Sequence, residues 1–294
     1  MGKIGFIGLG IMGKPMARNL LRGGCELLVN DVVETAVAEM VAEGAQSATY
    51  EEIGSACDVV FLSLPRGDIS INVLVGQNGL VNYAKPGCVI CDTSSVTPVE
   101  SRTCYEGLQA KGIEFVDAPV SGGEPGAVNG TLAFMAGGNQ KAFDALQPYF
   151  DIMGSSAILV GGPGSGSVTK LANQIIVNLN IAAVSEALVL AQKAGADTRK
   201  VFEAIRGGLA GSAVLEAKAP MMLDRNFVPG GRISINHKDI SNVLKTAHEL
   251  DSPVPMSAQL FEIMQTLKVH GHMGDDHAGI VQYFEMLADV EVKG

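Results

Sequence analysis

Lys3-Ile4-Gly5-Phe6-Ile7-Gly8-Leu9-Gly10-Ile11-Met12-Gly13 decides the fold. The apolar run Lys3–Gly8 reads as a strand, and Met12–Arg22 reads as a helix ended by Gly23-Gly24. A G-x-G-x-x-G spacing sits at the joint. Glycines there permit a tight turn and let backbone approach a pyrophosphate, while the helix N-terminus offers N–H groups and a positive dipole end. Gly8, Gly10, Ile11, Met12 and Gly13 are therefore candidate dinucleotide-binding residues. The next strand, Leu27–Asn30, ends at Asp31, 18 residues past Gly13. A carboxylate about 20 residues on binds the ribose hydroxyls and repels a 2′-phosphate. Val32 and Val33 follow it, with no Arg. The expected cofactor is NAD, with NADH preferred and NADP second.

Outward from this unit, strands alternate with helices. Glu34–Glu43 reads as a helix, Asp58–Leu64 and Cys88–Asp92 as strands, and Pro98–Lys111 as a helix. Ile113–Val116 and Leu132–Ala136 read as strands, Lys141–Phe150 as a helix, and Ala157–Val160 as a strand. Continuous apolar strands alternating with helices imply a parallel sheet covered on both faces. The cluster Gly161-Gly162-Pro163-Gly164-Ser165-Gly166-Ser167 then breaks the pattern. Beyond it only helical periodicity is found: Val168–Gly195, Thr198–Arg206, Val214–Met222, Ile235–Glu249, Pro255–Val269 and His277–Val290. The expected fold is α/β: a Rossmann-type, doubly wound, mostly parallel sheet over residues 1–163, then an all-helical domain over 164–294.

Composition excludes several classes. Of 294 residues, 21 are Lys or Arg and 31 Asp or Glu, a net charge of −10, which disfavours nucleic-acid binding. Glycines number 36, about 12% against a usual ~7%, consistent with tight turns and backbone approach to a ligand. The five cysteines are irregularly spaced and suggest no disulfide framework, so a cytoplasmic location is expected. Cys88 and Cys91 lie three apart on a strand and point to opposite faces, as core residues. The N-terminal glycines break any signal-peptide helix, and Asn173, Gln174, Asn178, Asn180, Ser185 and Glu186 make Leu171–Ala196 a buried helix rather than a membrane span. That segment is apolar on so many sides that a homodimer or homotetramer joined through the helical half is expected; burial within one chain is the other reading.

Four further segments carry candidate chemistry. Asp117-Ala118-Pro119-Val120-Ser121-Gly122-Gly123 follows a strand end, where ligands of open α/β sheets bind. Its Ser121 hydroxyl and the N–H groups of Gly122 and Gly123 suit a small carboxylate, or form an ordinary turn. Lys170, Asn173 and Gln174 share one side of a helix just past the glycine cluster, facing the expected interdomain cleft. A lysine there could protonate a carbonyl oxygen as hydride reaches the carbon, with Asn or Gln orienting the substrate; the alternative is a solvated helix face. Lys238, in His237-Lys238-Asp239, is either a ligand contact or a surface charge. His270-Gly271-His272-Met273-Gly274-Asp275-Asp276-His277 matches no zinc spacing, so no metal is expected, and Asp276 and His277 suit the cap of the last helix.

In order along the chain, Gly5 to Met16, Asp117 to Gly123, Gly164 to Asn173 and Lys238-Asp239 resemble the β-hydroxyacid dehydrogenase family over the whole length. Ser121 to Pro125, Lys170 to Gln174, Ile205 to Ser212 and Asp224 to Phe227 look most like its branch that reduces tartronate semialdehyde to glycerate. The resemblance implies that Lys170 is the acid/base and that Ser121, Gly122 and Gly123 hold the substrate carboxylate. It implies that Leu64, Pro65 and Ser95 line the nicotinamide side and that Lys238 reaches the cofactor. Asn173 and Gln174 would contact a small carboxylate substrate; no metal, nucleic acid or membrane is implied. Two departures stand out: Gln174 where much of the family has Asn, and Gly230-Gly231-Arg232 where members often carry Gly-Phe. Other hydroxyacids (3-hydroxyisobutyrate, 4-hydroxybutyrate, 2-(hydroxymethyl)glutarate) are alternatives. A non-enzymatic nucleotide-binding module is another, against which Lys170 argues.

Overall fold

The computed structural model describes residues 2–294. One compact unit ends at Lys170 and a second runs Leu171–Gly294. In the first unit β1 (Lys3–Ile7), α1 (Gly13–Arg22), β2 (Glu26–Asn30), α2 (Glu34–Ala42), β3 (Gln46–Ser47), α3 (Tyr50–Ala56), β4 (Val59–Leu62) and α4 (Gly67–Val75) come first. There follow β5 (Val89–Asp92), α5 (Pro98–Gln109), β6 (Glu114–Asp117), β7 (Val120–Ser121), α6 (Gly123–Asn129), β8 (Leu132–Gly137), α7 (Gln140–Met153) and β9 (Gly154–Gly161).

The sheet order is β3-β2-β1-β4-β5-β6-β8, and the first six of these strands are parallel. β6 and β7 run antiparallel to β8, which pairs in parallel with β9, so the sheet is mostly rather than wholly parallel. Alternate residues enter two cores, one per face. Phe6, Phe61, Cys91 and Val116 pack with Met16, Phe134 and Phe150 on one side. Ile7, Val60, Leu62, Cys88, Ile90 and Phe115 pack with Ile53, Leu74 and Leu108 on the other. Cys88 and Cys91 thus serve opposite cores. Each fully buried Phe, Leu or Ile contributes roughly 1.5–3 kcal/mol, which is why both faces are roofed by helices.

Three helices of this unit go beyond the sequence expectations. α3 opens on a reciprocal Thr49/Glu52 capping box. α4 forms from the β-branched run around Ile69, Ile71 and Val73. α6 contains Gly123, Pro125 and Gly126, with Pro in the first turn where no N–H is needed.

α8 (Ser165–Lys193) carries the chain into the second unit. There α9 (Thr198–Ile205), α10 (Ala213–Leu223), α11 (Ile233–Glu249), α12 (Pro255–Val269) and α13 (Val281–Ala288) surround it. Leu171, Ile181, Val184 and Leu188 of α8 join Leu215, Met222, Ile240, Met264 and Ile280 in one core. α8 is long and apolar enough to cross a membrane, with a mean hydropathy of 1.7 in its best window. It nevertheless buries Gln174, Asn178 and Ser185, which marks it as a core helix. Its Ile176 and Leu190 remain 68% and 71% exposed.

Candidate active site

Strand register sets the site. Asn30, Ile7, Leu62, Asp92 and Asp117 are successive partners across five parallel strands, so these strands end on one line. The segments that follow, around Asp31, Gly8–Gly13, Leu64-Pro65, Ser95 and Ser121–Gly123, therefore leave from the same carboxyl edge.

The glycine turn fits a dinucleotide. Gly8 has φ of +94°, and a Cβ there would lie 2.3 Å from the Ser63 carbonyl oxygen. A Cβ on Gly13 would collide with the Gly8 carbonyl oxygen. Both are glycine because the turn is closed on itself. Gly10 is different: a Cβ there would meet nothing within 4 Å, so the protein's own packing does not demand glycine. It leaves open the space beside the first turn of α1, where Met12 supplies no side-chain cap. Asp31 closes the turn, its carboxylate accepting from Leu9 N at 2.5 Å and Val33 N at 2.8 Å. Leu9, Gly10, Ile11 and Asp31 line a cavity of about 480 Å³. An open backbone cradle at a helix start with a carboxylate beside it is what an NAD-type dinucleotide requires.

Leu64 is held from the neighbouring strand end. Its N–H donates to Ser94 Oγ at 2.7 Å, and Ser94 N–H donates to Asp92 Oδ1 at 2.9 Å. Burial pushes the Asp92 carboxyl up, opposed by its hydrogen bonding to Ser94. Neither Ser94 nor Asp92 was singled out from sequence, since a buried polar residue at a strand end leaves no periodic trace. Pro65 is exposed and Ser95 half-buried.

Asp117 explains why α8 starts at Ser165 instead of Val168. Its carboxylate reaches from the end of β6 to accept from Gly164 N at 2.8 Å and Ser167 N at 2.7 Å. A cap supplied by another element satisfies the first N–H groups and lets glycine-rich sequence be helical. Burial pushes this carboxyl up to about 6, although both N–H bonds pull it down. One turn further on, Lys170 Nζ donates to the Val120 carbonyl oxygen at 2.8 Å. Lys170 and the Val120-Ser121-Gly122-Gly123 segment are thereby brought together. Gly122 and Gly123 have φ of +134° and +62°, which only glycine adopts readily, and both are exposed.

In the second unit Gln174 is buried, and its Nε2 donates to Asp239 Oδ2 at 2.6 Å and Asn236 Oδ1 at 3.2 Å. Asn173 Nδ2 donates to Gln174 Oε1 at 3.0 Å. Lys238 Nζ pairs with Asp239 Oδ1 at 3.1 Å, so Asn173, Gln174 and Lys238 belong to one network. Asn236 extends it to His277 Nδ1 at 2.9 Å. Asn236 was missed by sequence reasoning, yet it sits three residues before Asp239 on α11, a polar pair on an otherwise apolar face.

Asp276 does cap the segment His277–Ile280, accepting from Ala278 N at 2.9 Å. It also accepts from Gly230 N and Gly231 N and pairs with Lys218 at 2.8 Å. At Gly231, where the resemblance leads one to expect Phe next in sequence, the nearest side chain is the His277 ring, and Arg232 is exposed. Among the described residues no three His, Cys, Asp or Glu are grouped to hold a metal.

Comparison with known proteins agrees with this geometry. The profile of the NAD binding domain of 6-phosphogluconate dehydrogenase matches residues 3–162. The profile described as NAD-binding of NADP-dependent 3-hydroxyisobutyrate dehydrogenase matches residues 164–284. A 2-hydroxy-3-oxopropionate reductase of Escherichia coli is 42% identical over 288 residues, 98% of each chain. A 2-(hydroxymethyl)glutarate dehydrogenase of Eubacterium barkeri is 36% identical over 99% of this chain and 98% of its own. The structure of Mycobacterium tuberculosis 3-hydroxyisobutyrate dehydrogenase with L-serine superimposes with a TM-score of 0.89 at 26% identity, covering 96% of this chain and 98% of that one.

Proposed function

Because the chain belongs to the β-hydroxyacid dehydrogenases, a family of NAD(P)-dependent oxidoreductases, we propose that it reduces tartronate semialdehyde to glycerate with NADH, reversibly. The observation that carries the chemistry is the 2.8 Å bond from Lys170 Nζ to the Val120 carbonyl, which sets an ammonium beside Ser121 and two exposed glycine N–H groups. The similarity to the E. coli reductase over 98% of both chains favours the substrate.

Gly8, Gly10, Ile11, Met12, Gly13 and Asp31 hold the dinucleotide, with Leu64, Pro65 and Ser95 on its nicotinamide side and Lys238 as a further contact. The reduced nicotinamide, when bound, supplies hydride to the aldehyde carbon. Ser121 Oγ and the N–H groups of Gly122 and Gly123 hold the carboxylate. Lys170 keeps a proton at Nζ and gives it to the carbonyl oxygen as that oxygen gains charge, then recovers one from solvent. Asn173 and Gln174 orient the substrate's hydroxyl. Asp31, followed by Val32, favours NADH over NADPH. The exposed Ile176 and Leu190 of α8 support a symmetric dimer or tetramer, and five buried thiols support a cytoplasmic location.

The test is steady-state kcat/KM for tartronate, methylmalonate and succinic semialdehydes and for 2-formylglutarate, with NADH and with NADPH. The highest value is expected for tartronate semialdehyde with NADH. A higher value for another semialdehyde overturns the substrate, and an NADPH preference overturns the role of Asp31.

A further inference from the structure

The cavity bounded by Gly10 and Asp31 also presents Lys14, Arg18 and Glu39. Two cations beside the ribose-binding carboxylate are what a 2′-phosphate would seek, yet both are already engaged by α2 and its cap. Lys14 Nζ donates to Glu39 Oε2 at 2.6 Å. Arg18 grips Glu43 through Nε at 2.8 and 2.9 Å and through Nη2 at 2.6 Å. Arg18 also lies 3.9 Å from Glu39, which therefore faces both cations. With Asp31 and Glu124, which line the same cavity, added to Glu39 and Glu43, four carboxylates outweigh two cations.

We propose that Glu39 is a specificity-determining residue of the cofactor site: by holding Lys14 it withholds a ready-made 2′-phosphate site and enforces selection of the unphosphorylated dinucleotide. This rests on the reading that Asp31 binds the ribose, and it goes beyond that reading by placing discrimination on a second element. A 2′-phosphate carries up to two negative charges and must break the Lys14–Glu39 pair before it gains a cation. The ammonium bound to Glu39 holds that carboxyl below the usual range, with Arg18 adding to the pull, so the pair stays ionised at neutral pH. Replacing Glu39 by Gln removes one negative charge and leaves Lys14 in place with its proton donors unengaged by a carboxylate.

The test compares adenosine 5′-monophosphate with adenosine 2′,5′-bisphosphate, which differ only in the 2′-phosphate, by calorimetric titration of the full-length protein without nicotinamide. Wild type is expected to bind the monophosphate at least as tightly. Glu39→Gln should raise the affinity for the bisphosphate relative to the monophosphate by about twofold to fivefold, the range of a partly exposed ion pair. The gain should shrink in 0.5 M salt, roughly a Debye length of 4 Å, and vanish in Glu39→Gln/Lys14→Met. An unchanged ratio in Glu39→Gln, or a gain that survives removal of Lys14, overturns the proposal. A wild-type preference for the bisphosphate would instead overturn the Asp31 reading, before any variant is made.

Discussion

Replacing Asp117 by Asn isolates what a buried carboxylate does at the head of α8. Asp117 is 1% exposed and accepts from Gly164 N and Ser167 N. Burial raises its carboxyl from the ordinary 3.8 to about 6. At ~1.4 kcal/mol per pH unit, ionisation costs the folded state roughly 3 kcal/mol relative to the unfolded chain. Because the folded value lies above the unfolded one, this contribution is fully present below about pH 4 and is lost as pH rises through about 6. About half of the loss falls between roughly pH 5 and pH 8. Asn keeps the shape and one acceptor, but turns an amide donor toward a backbone N–H. It therefore leaves one buried N–H without an acceptor, a cost of about 1–3 kcal/mol. Urea unfolding of wild type and Asp117→Asn at several pH values separates the two effects. The wild-type advantage should shrink by about 1–1.5 kcal/mol from pH 5 to pH 8. Parallel curves would refute the account of a buried, desolvated cap.

Two other perturbations follow from the second unit. Lys218→Met leaves the Asp276 carboxylate, 0% exposed, without its cation. Burial works against ionisation of Asp276, and the Lys218 ammonium, the Ala278 N–H and His277 together hold its carboxyl below the usual range. Unfolding midpoints should fall by an amount equivalent to about 3–5 kcal/mol at neutral pH and converge on wild type in acid, where the wild-type pair is also lost. Ile176→Glu with Leu190→Glu, on the exposed side of α8, should shift the mass found by light scattering toward the 30.6 kDa monomer; a wild type already at that mass would contradict assembly through α8.

How much of this was legible in the sequence depends on where each signal is stored. The glycine turn and Asp31 were readable because their spacing along the chain is the constraint itself. The longer strands were readable as apolar runs because both faces of the sheet are buried, whereas the two-residue β3 and β7 carry no such run. α3 carried a readable signal, Thr49 followed three residues later by Glu52, that a search for apolar periodicity passes over. α4 was not readable, since Ile69, Ile71, Val73 and Val75 alternate as a strand would, and packing against α5 decides otherwise. The start of α8 was stored in Asp117, about fifty residues away, so local propensity placed it three residues late. For the same reason the pairing of Lys170 with Val120, of Leu64 with Ser94 and of Gln174 with Asn236 was invisible: each bond joins residues remote in sequence. Sequence named the candidate side chains, and the tertiary hydrogen bonds show what each of them contacts.

The most direct test of the catalytic assignment is a single turnover. Excess enzyme is loaded with NADH and mixed with tartronate semialdehyde in a stopped-flow instrument, and the loss of NADH absorbance is followed for wild type and Lys170→Ala. Binding of NADH, read from its fluorescence, should be little changed, while hydride transfer slows by roughly 10²–10⁴, the usual contribution of a positioned general acid. A variant that transfers hydride within threefold of wild type would show that the proton comes from elsewhere.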